Sequence, residues 1–385
     1  MKLENNNHLM YCLNIHPGEY WDENLAAIKD YSLQVKKRVS PHKPFALGLR
    51  LSAIAAHELL PQVKDFKTFL RRHNMYVVSI NGFPFGPFHG SIIKQNVYLP
   101  DWSSYERVSY SLYLARILAD LLPEGETGTI STVPCFYGKK EKPSAFANLL
   151  SIADSLSKIK EITGKHIILA LEPEPDCYLD DLASTLDFFT RLYSARQSAQ
   201  NHLGICLDTS HTIVEFESPL LWIEKLYQAH IKIPKIQISA ALRAIPENQK
   251  SLRQMFLPFD DKRYLHQTRI SVSSHILRYK DLPEAISTAP YGEWRVHFHV
   301  PLSWSGRGIS STANIIEDNF FKESFLAGGK HFEIETYTFN ALPEPKPPVT
   351  DSIVSEIEWV RKRLEKYCVI NKSIYKNESV TKHMY

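Results

Sequence analysis

The sequence predicts an α/β fold of the (β/α)8 TIM-barrel class, with an insertion before the last strand. Short apolar segments that end in Gly, Pro, Asn, Asp or His alternate with longer segments of helical period. The length of 385 residues suits one barrel with insertions, and 44% hydrophobic residues provide for a sizeable core. We expect a single barrel domain over 1–370, an elaborated insertion over 240–330 and a flexible tail over 371–385.

Eight apolar segments have the length and composition of barrel strands. In chain order they are residues 10–15, 45–51, 76–80, 128–134, 166–171, 203–207, 235–238 and 332–335. Apolar residues recur at helical spacing over 144–162 and 179–193, which predicts helices packed outside the sheet. Residues 294–301 predict a ninth strand, which lies inside the insertion.

The composition favours a cytoplasmic protein. A net charge of +3 gives no argument for nucleic-acid binding. No apolar run approaches the roughly 20 residues that span a bilayer, and the N-terminus lacks the layout of a signal peptide. Five widely spaced cysteines without a CxxC pair predict reduced thiols. We therefore expect neither nucleic-acid binding nor membrane insertion.

Carboxylates end three of the predicted strands. Glu172 follows the fifth strand, Asp208 follows the sixth with His211 three residues later, and Glu335 ends the last strand. Barrel enzymes place their sites at the carboxyl ends of strands, and buried carboxylates are costly unless they are paired or metal-bound. These residues predict one shared pocket that holds a divalent metal ion, Mn²⁺, Mg²⁺ or Zn²⁺.

Several histidines are further candidates for this pocket. His16, His89 and His266 either bind substrate or are ordinary turn residues that cap the neighbouring backbone. His297 and His299 lie two residues apart on the predicted ninth strand, so both point the same way and can reach one ion or one substrate. The alternative for this pair is an aromatic-backed strand that exposes both imidazoles to solvent.

Aromatic residues are concentrated after the third strand and return after the fourth. Phe83, Phe85 and Phe88, with Tyr137, can line a desolvated pocket in which the pKa of a carboxylate base rises. They also indicate a substrate that is less polar than a free sugar. Alternatively, they cover the mouth of the barrel as part of its core.

The strand endings resemble those of the xylose-isomerase-like barrels. The resemblance rests on Leu-Glu172, on Asp208-Thr-Ser-His211 and on Glu335-Thr, and it spans most of the chain. This superfamily includes sugar isomerases, sugar 3-epimerases, hydroxypyruvate-isomerase relatives and endonuclease IV. Within it, the chain is similar to EboE-type proteins, which are described as metabolite traffic proteins, over segments 14–19, 81–86, 171–175, 264–267, 297–301 and 335–338.

The resemblance implies roles for the strand-end residues. In epimerase-like relatives, the carboxylates that match Glu172 and Glu335 bind the metal and also remove and return a proton at the substrate carbon. The residue that matches Asp208 is a metal ligand. The residue that matches His211 lies beside the substrate.

One metal ligand of these relatives is replaced in this chain. They supply a histidine from the seventh strand, whereas the matching position here is Gln237, with Arg243 following where a substrate-binding arginine is expected. A Gln oxygen suits Mg²⁺ or Mn²⁺ better than Zn²⁺. Alternatively, His297 or His299 from the insertion completes the ligand set.

The resemblance implies a metal-dependent isomerase or epimerase that transfers a proton at carbon on a small carbonyl or polyol metabolite. An EboE-like pathway of metabolite traffic or secondary metabolism is the expected context. The alternative is a non-catalytic metabolite-binding protein on the same barrel, which presents a compound to a membrane-associated partner. An endonuclease IV-like phosphodiesterase is a weaker alternative, because the fourth strand ends in Cys135-Phe-Tyr137 instead of a histidine.

Overall fold

A computed structural model describes residues 1–90, 92–246, 248–306 and 308–381. Seven strands of the central sheet come first: β1 (His8–Tyr11), β2 (Phe45–Arg50), β3 (Met75–Asn81), β4 (Thr127–Thr132), β5 (His166–Leu171), β6 (Leu203–Asp208) and β7 (Lys235–Ile238). The insertion contains β8 (Leu242–Ala244), β9 (Thr268–Val272), β10 (His275–Tyr279), β11 (Glu293–Val296), β12 (Ser305–Gly306) and β13 (Ile309–Ser311). The central sheet ends with β14 (His331–Ile334).

The central sheet forms a nearly closed barrel of eight parallel strands in the order β1-β14-β7-β6-β5-β4-β3-β2. A parallel bridge between Cys12 and Gly48 joins its two ends. A β-carbon at Gly48 would overlap the Tyr11 carbonyl oxygen and the Glu333 carboxylate, so the glycine permits this close approach. The predicted (β/α)8 barrel is confirmed. The first strand is shorter than predicted, because Leu13–Ile15 form a 3-10 turn.

Helices surround the barrel and continue into the insertion. They are α1 (Trp21–Ala27), α2 (Leu33–Val39), α3 (Ala53–Leu59), α4 (Val63–Arg72), α5 (Tyr105–Leu121), α6 (Pro143–Thr163), α7 (Leu182–Ala195), α8 (Gln197–His202), α9 (Thr209–Val214), α10 (Pro219–Gln228), α11 (Gln249–Phe256), α12 (Leu282–Thr288), α13 (Asp318–Leu326) and α14 (Val349–Thr381). The two predicted helices correspond to α6 and α7, and α7 begins after its cap Asp181. Within the described ranges, none of these helices is long and apolar enough to cross a bilayer.

The C-terminal segment over 371–385 is described only in part. The backbone of 371–381 continues α14, whereas 382–385 lie outside the described residues. The flexible tail therefore stays a prediction.

The insertion carries an antiparallel sheet in the order β10-β9-β11-β8-β13-β12. The predicted strand over 294–301 is too long, since β11 ends at Val296. Beyond it, the Phe298 N–H donates to the Val296 carbonyl at 2.7 Å, a tight turn that interrupts the extended backbone. His297 and His299 lie in this irregular segment, which leaves the insertion sheet and enters the mouth of the barrel.

The interior of the barrel is polar, whereas barrel interiors are commonly filled by branched apolar side chains. Lys235 Nζ lies 2.6 Å from Glu333 Oε2, and both side chains are fully buried. At the amino ends of the strands, the His8 and His331 rings meet edge to face at 5.3 Å. Both imidazoles are buried. Ionisable groups therefore run through the barrel beneath its carboxyl-end rim.

We expect the buried His8 to make the fold sensitive to acid. Burial lowers the pKa of His8 to about 4, although Glu126 acts in the opposite direction. An unfolded chain takes up this proton near pH 6.5, so stability is retained above that pH and lost as the pH falls toward 4. At about 1.4 kcal/mol per pH unit, the loss approaches ~3 kcal/mol. Urea unfolding of the wild type between pH 7.5 and 4.5 measures it.

His8→Gln is expected to flatten this pH dependence. His57→Gln, at an exposed position on α3, is the control and should keep the wild-type slope. Equal slopes in all three proteins would show that His8 is not responsible.

Candidate active site

Three carboxylates meet at the carboxyl-end rim of the barrel. Glu172 follows β5, Asp208 ends β6 and Glu335 follows β14, and each is at most 4% exposed. Ligand atoms of Glu172, Asp208 and His211 lie within 4.8 Å of one another, as do those of Asp208, His299 and Glu335. The structure thus brings the strand-end carboxylates of the sequence into one cluster.

Asp208 is held firmly by the start of α9 and by the seventh strand. Its Oδ1 accepts hydrogen bonds from the backbone N–H groups of Ser210 at 2.7 Å and His211 at 3.1 Å, and from Ser239 Oγ at 2.6 Å. Burial alone would raise the pKa of Asp208, but His211, His299 and these hydrogen bonds outweigh it and lower the pKa. Asp208 is therefore the carboxylate of the cluster that is best stabilised as an anion.

Glu172 and Glu335 are in a different electrostatic situation. Burial, followed by the neighbouring carboxylates, raises the pKa of both groups well above the usual range. Asn14 and Asn81 donate their side-chain N–H groups to Glu335 Oε1, whereas Glu172 Oε2 is buried without a hydrogen-bond partner among the described residues. The surroundings of these two carboxyl groups therefore favour the protonated form, in contrast to Asp208.

Backbone carbonyls orient two histidines of the cluster. His211 Nδ1 lies 2.8 Å from the Pro173 carbonyl oxygen, and His299 Nδ1 lies 3.1 Å from the Glu335 carbonyl oxygen. A carbonyl oxygen only accepts hydrogen bonds, so Nδ1 carries a proton in both rings, and Nε2 is the atom that has the lone pair in the neutral imidazole. This pattern is typical of histidines that bind metal through Nε2.

His297 has the same orientation. Its Nδ1 lies 2.8 Å from Gln267 Oε1, and Gln267 Nε2 donates to the Pro175 carbonyl at 3.1 Å, which fixes the amide. His297 Nε2 therefore faces His299 Nε2, only 3.1 Å away, with a lone pair on each atom. Two such lone pairs repel each other unless a donor or a cation interacts with them, and the Ser210 hydroxyl lies 2.9 Å from His299 Nε2 and can donate to it. His297 and His299 are buried, so the solvent-exposed alternative is wrong for both.

Gln237 lies beneath the cluster. Its Oε1 accepts a hydrogen bond from Cys206 Sγ at 3.2 Å, and its Nε2 has no partner among the described residues. The seventh strand reaches Asp208 with Ser239 instead, because inward-facing positions recur every two residues. Of the five predicted metal ligands, the structure groups Asp208 with Glu172 on one side and with Glu335 and His299 on the other, and it leaves Gln237 one step deeper in the barrel.

His89 and His266 form hydrogen bonds with the segments that carry the pocket residues. His89 Nε2 donates to the Asn14 carbonyl at 2.7 Å, and its Nδ1 accepts from the Tyr264 hydroxyl at 2.7 Å. His266 Nδ1 donates to the His297 carbonyl at 2.9 Å. Both rings therefore connect segments of the pocket wall and are not among its described lining residues, so their contact with substrate stays a prediction.

His16 and Arg243 also lie away from the cluster. His16 stacks on Tyr31 with the ring centroids 4.3 Å apart, beside a separate surface cavity. Arg243 is on the insertion sheet, where the two oxygens of Glu293 accept its guanidinium hydrogen bonds at 2.8 and 2.9 Å. The predicted substrate-binding arginine is thus occupied by a structural ion pair.

A pocket opens above the cluster. Its floor contains Asn14, Glu172, Glu174, His211 and Glu335, and the remaining lining is mainly aromatic and aliphatic. Phe83 and Phe88 line it as predicted. Phe85 and Tyr137 do not belong to the lining.

Glu174 is a candidate residue that the sequence pattern did not single out. It is 6% exposed, accepts a hydrogen bond from the Tyr98 hydroxyl at 2.8 Å, and lies 3.6 Å from His297 Nδ1. Burial raises the pKa of Glu174 to about 7. Its position two residues after Glu172, in Glu-Pro-Glu, was the available signal, since alternate residues at a strand end face the same side.

Comparison with known proteins agrees with this architecture. A family model described as xylose isomerase-like TIM barrel matches residues 39–246. A xylose isomerase-like TIM barrel protein from Mycobacterium smegmatis in complex with magnesium superposes with a TM-score of 0.54 at 11% identity, covering 94% of this chain and 97% of that chain. The IOLI protein with a binding zinc atom gives 0.52 at 12% identity, covering 94% and 99%.

A D-allulose 3-epimerase from Methylomonas sp. in complex with D-allulose gives a TM-score of 0.51 at 12% identity, covering 93% of this chain and 97% of that chain. No curated protein sequence matches the chain. The similarity to EboE-type proteins stays a prediction, because none of these comparisons tests it.

Proposed function

The chain belongs to the xylose isomerase-like TIM barrel family, and on this premise we propose that it is a divalent-metal-dependent isomerase or epimerase. It would act on a small hydroxy-carbonyl or polyol metabolite by proton transfer at carbon. The observation that carries the proposal is the cluster of buried carboxylates and Nε2-facing histidines at the pocket floor. The magnesium, zinc and D-allulose complexes of structurally similar proteins support it.

The residues present fit a divalent cation. Glu172 Oε2 and Asp208 Oδ2 are buried and have no hydrogen-bond partner among the described residues, which is costly for a carboxylate unless a cation binds it. Glu172, Asp208, Glu335 and His299 would hold the ion, and this mixed oxygen and nitrogen set suits Mn²⁺, Mg²⁺ or Zn²⁺. When bound, the ion would polarise a substrate oxygen and reduce the cost of negative charge there.

The proton transfer itself would be carried out by the chain's own carboxylates. Glu172 and Glu335 line the pocket, and their raised pKa values make their carboxylates stronger bases than ordinary ones for removing a proton from carbon. Asn14 and Asn81 would keep Glu335 in position. His211 and Glu174 also line the floor and can exchange protons with substrate hydroxyls.

Metal content tests this proposal. We expect the purified wild type to hold about one divalent ion per chain, measured by plasma mass spectrometry, and Glu172→Gln and Asp208→Asn to lose it. Glu356→Gln is the matched control, because Glu356 is another buried carboxylate, and it accepts hydrogen bonds from the Leu302 N–H and the Thr336 hydroxyl. A wild type that binds no ion after reloading with Mn²⁺ and Zn²⁺ would contradict the proposal.

Deuterium exchange tests the reaction. Incubation of candidate keto-sugars with the metal-loaded protein in D₂O should introduce deuterium at the carbon next to the carbonyl, detected by proton NMR. Glu335→Gln should abolish the exchange. A protein that holds metal and binds ligand but exchanges no proton would favour the non-catalytic binding protein.

A further inference from the structure

The pocket has an apolar wall above its polar floor. Phe88, Ile93 and Tyr264 form a cluster of buried side chains that is separate from the main core, with Val97 and Tyr337 packed against it. All five side chains line the pocket. The wall comes from the loop after β3, the insertion and the segment after β14, so three distant segments of the chain together place carbon surface around one cavity.

The hydroxyls of two tyrosines that line the pocket already have hydrogen-bond partners. The Tyr264 hydroxyl donates to His89 Nδ1 at 2.7 Å, and His89 Nε2 in turn donates to the Asn14 carbonyl. The Tyr98 hydroxyl donates to Glu174 at 2.8 Å. Because these hydroxyls are engaged, Tyr264 and Tyr98 contribute mainly ring surface to the lining of the pocket. The wall would therefore bind an apolar group more readily than a second cluster of hydroxyls.

Direct contacts join the loop after β3 to the insertion. The backbone N–H groups of Ile93 and Lys94 donate to the Arg263 carbonyl at 2.8 and 3.0 Å. Lys94 Nζ lies 2.6 Å from Asp281 Oδ2 of the insertion. The insertion thus holds the loop after β3 in place and completes the cavity.

The lining offers no free positive charge for an anionic substrate. Among the described residues that line the pocket, Lys94 is the one with a permanent positive charge, and Asp281 neutralises it. Arg263, next to Tyr264, is paired with Asp261 at 2.6 Å. A phosphate or carboxylate substituent placed against the wall would leave water without a free cationic side chain to receive it, and three carboxylates at the floor would repel it.

Resting on the function proposed above, we propose that the substrate is uncharged and amphipathic. Its hydroxy-carbonyl or polyol head would occupy the carboxylate floor. A planar aromatic or alicyclic group would pack against the wall formed by Phe88, Ile93, Val97, Tyr264 and Tyr337. This places the protein among enzymes of modified, hydrophobic metabolites and not among those of sugar phosphates.

Three hydroxamates that share the same head group and differ in the substituent test this inference. The probes are acetohydroxamate, benzohydroxamate and phosphoglycolohydroxamate, each titrated calorimetrically into the full chain loaded with Mn²⁺. The head group, which chelates divalent cations, is common to all three probes. Differences in affinity between the probes therefore measure the contacts that each substituent makes with the wall. We expect benzohydroxamate to bind about tenfold or more tightly than acetohydroxamate, since burial of the ring is favourable. Phosphoglycolohydroxamate should bind no more tightly than acetohydroxamate.

Two adjacent isoleucines provide a matched pair of variants. Ile93 lines the pocket and is 6% exposed, whereas Ile92 is 69% exposed and outside the lining. Ile93→Thr should reduce the preference for benzohydroxamate by about threefold or more, while Ile92→Thr should keep the wild-type preference. Thermal unfolding of both variants checks that they are folded.

The outcomes separate this inference from the proposed function. Metal content is measured on the same samples, and a chain that holds no metal would overturn the proposed function. A chain that holds metal but binds benzohydroxamate no better than acetohydroxamate, binds neither, or prefers the phosphorylated probe would overturn the amphipathic substrate alone. Retention of the full preference in Ile93→Thr would also contradict the assignment of this wall.

Discussion

Lys235→Met is expected to lower the free energy of unfolding by about 3–5 kcal/mol, because it leaves Glu333 as an unpaired charge inside the barrel. Lys235 Nζ lies 2.6 Å from Glu333 Oε2 and 3.0 Å from Ser131 Oγ, and the charged pair is fully buried. Burial alone would lower the pKa of Lys235, but Glu333 outweighs it and raises the pKa. Urea unfolding at pH 7.5, followed by circular dichroism, measures the loss.

The double variant Lys235→Met with Glu333→Leu separates the charge from the packing. Removal of both partners leaves no uncompensated ion, so we expect most of the stability to return, to within about 2 kcal/mol of the wild type. A double variant as unstable as Lys235→Met would show that the volume of the lysine side chain, and not its charge, is what the barrel requires.

The barrel was predictable because each of its strands is a short apolar run bounded by turn residues. All eight predicted segments overlap strands of the central sheet. The insertion was not predictable to the same degree, because its sheet is made by antiparallel pairing between segments that are far apart in the chain. The run 294–301 shows the difficulty, because its alternation of polar and apolar residues continues past Val296. The backbone nevertheless turns there, so that His297 and His299 enter the barrel mouth.

The carboxylates of the site could be predicted because parallel strands bring their carboxyl ends to one rim. That rule alone predicts that Glu172, Asp208 and Glu335 lie close together. His16 and Arg243 could not be assigned in this way, because a loop or insertion side chain takes its direction from tertiary contacts. Arg243 illustrates this, since its partner Glu293 lies fifty positions away in the chain.

Metal affinity is expected to depend on His299 and hardly at all on Gln237. His299 belongs to a group with Asp208 and Glu335 whose ligand atoms lie within 4.8 Å of one another, and its Nδ1 is fixed by the Glu335 carbonyl. Loss of a ligand whose orientation is set in this way should weaken Zn²⁺ binding by about 100-fold or more in His299→Ala. Competition with a fluorescent chelator gives the Kd for Zn²⁺ in each protein.

Gln237→Leu is the contrasting variant. Gln237 Oε1 already accepts a hydrogen bond from Cys206 beneath the cluster, and leucine has nearly the same volume, so we expect a Kd for Zn²⁺ within about threefold of the wild type. The reverse result, with Zn²⁺ binding lost in Gln237→Leu and retained in His299→Ala, would show that the fourth metal ligand is Gln237 of the seventh strand and not His299. The expected result instead means that the insertion supplies an essential part of the metal site, because Ser239 at the rim of β7 is too short and already donates to Asp208.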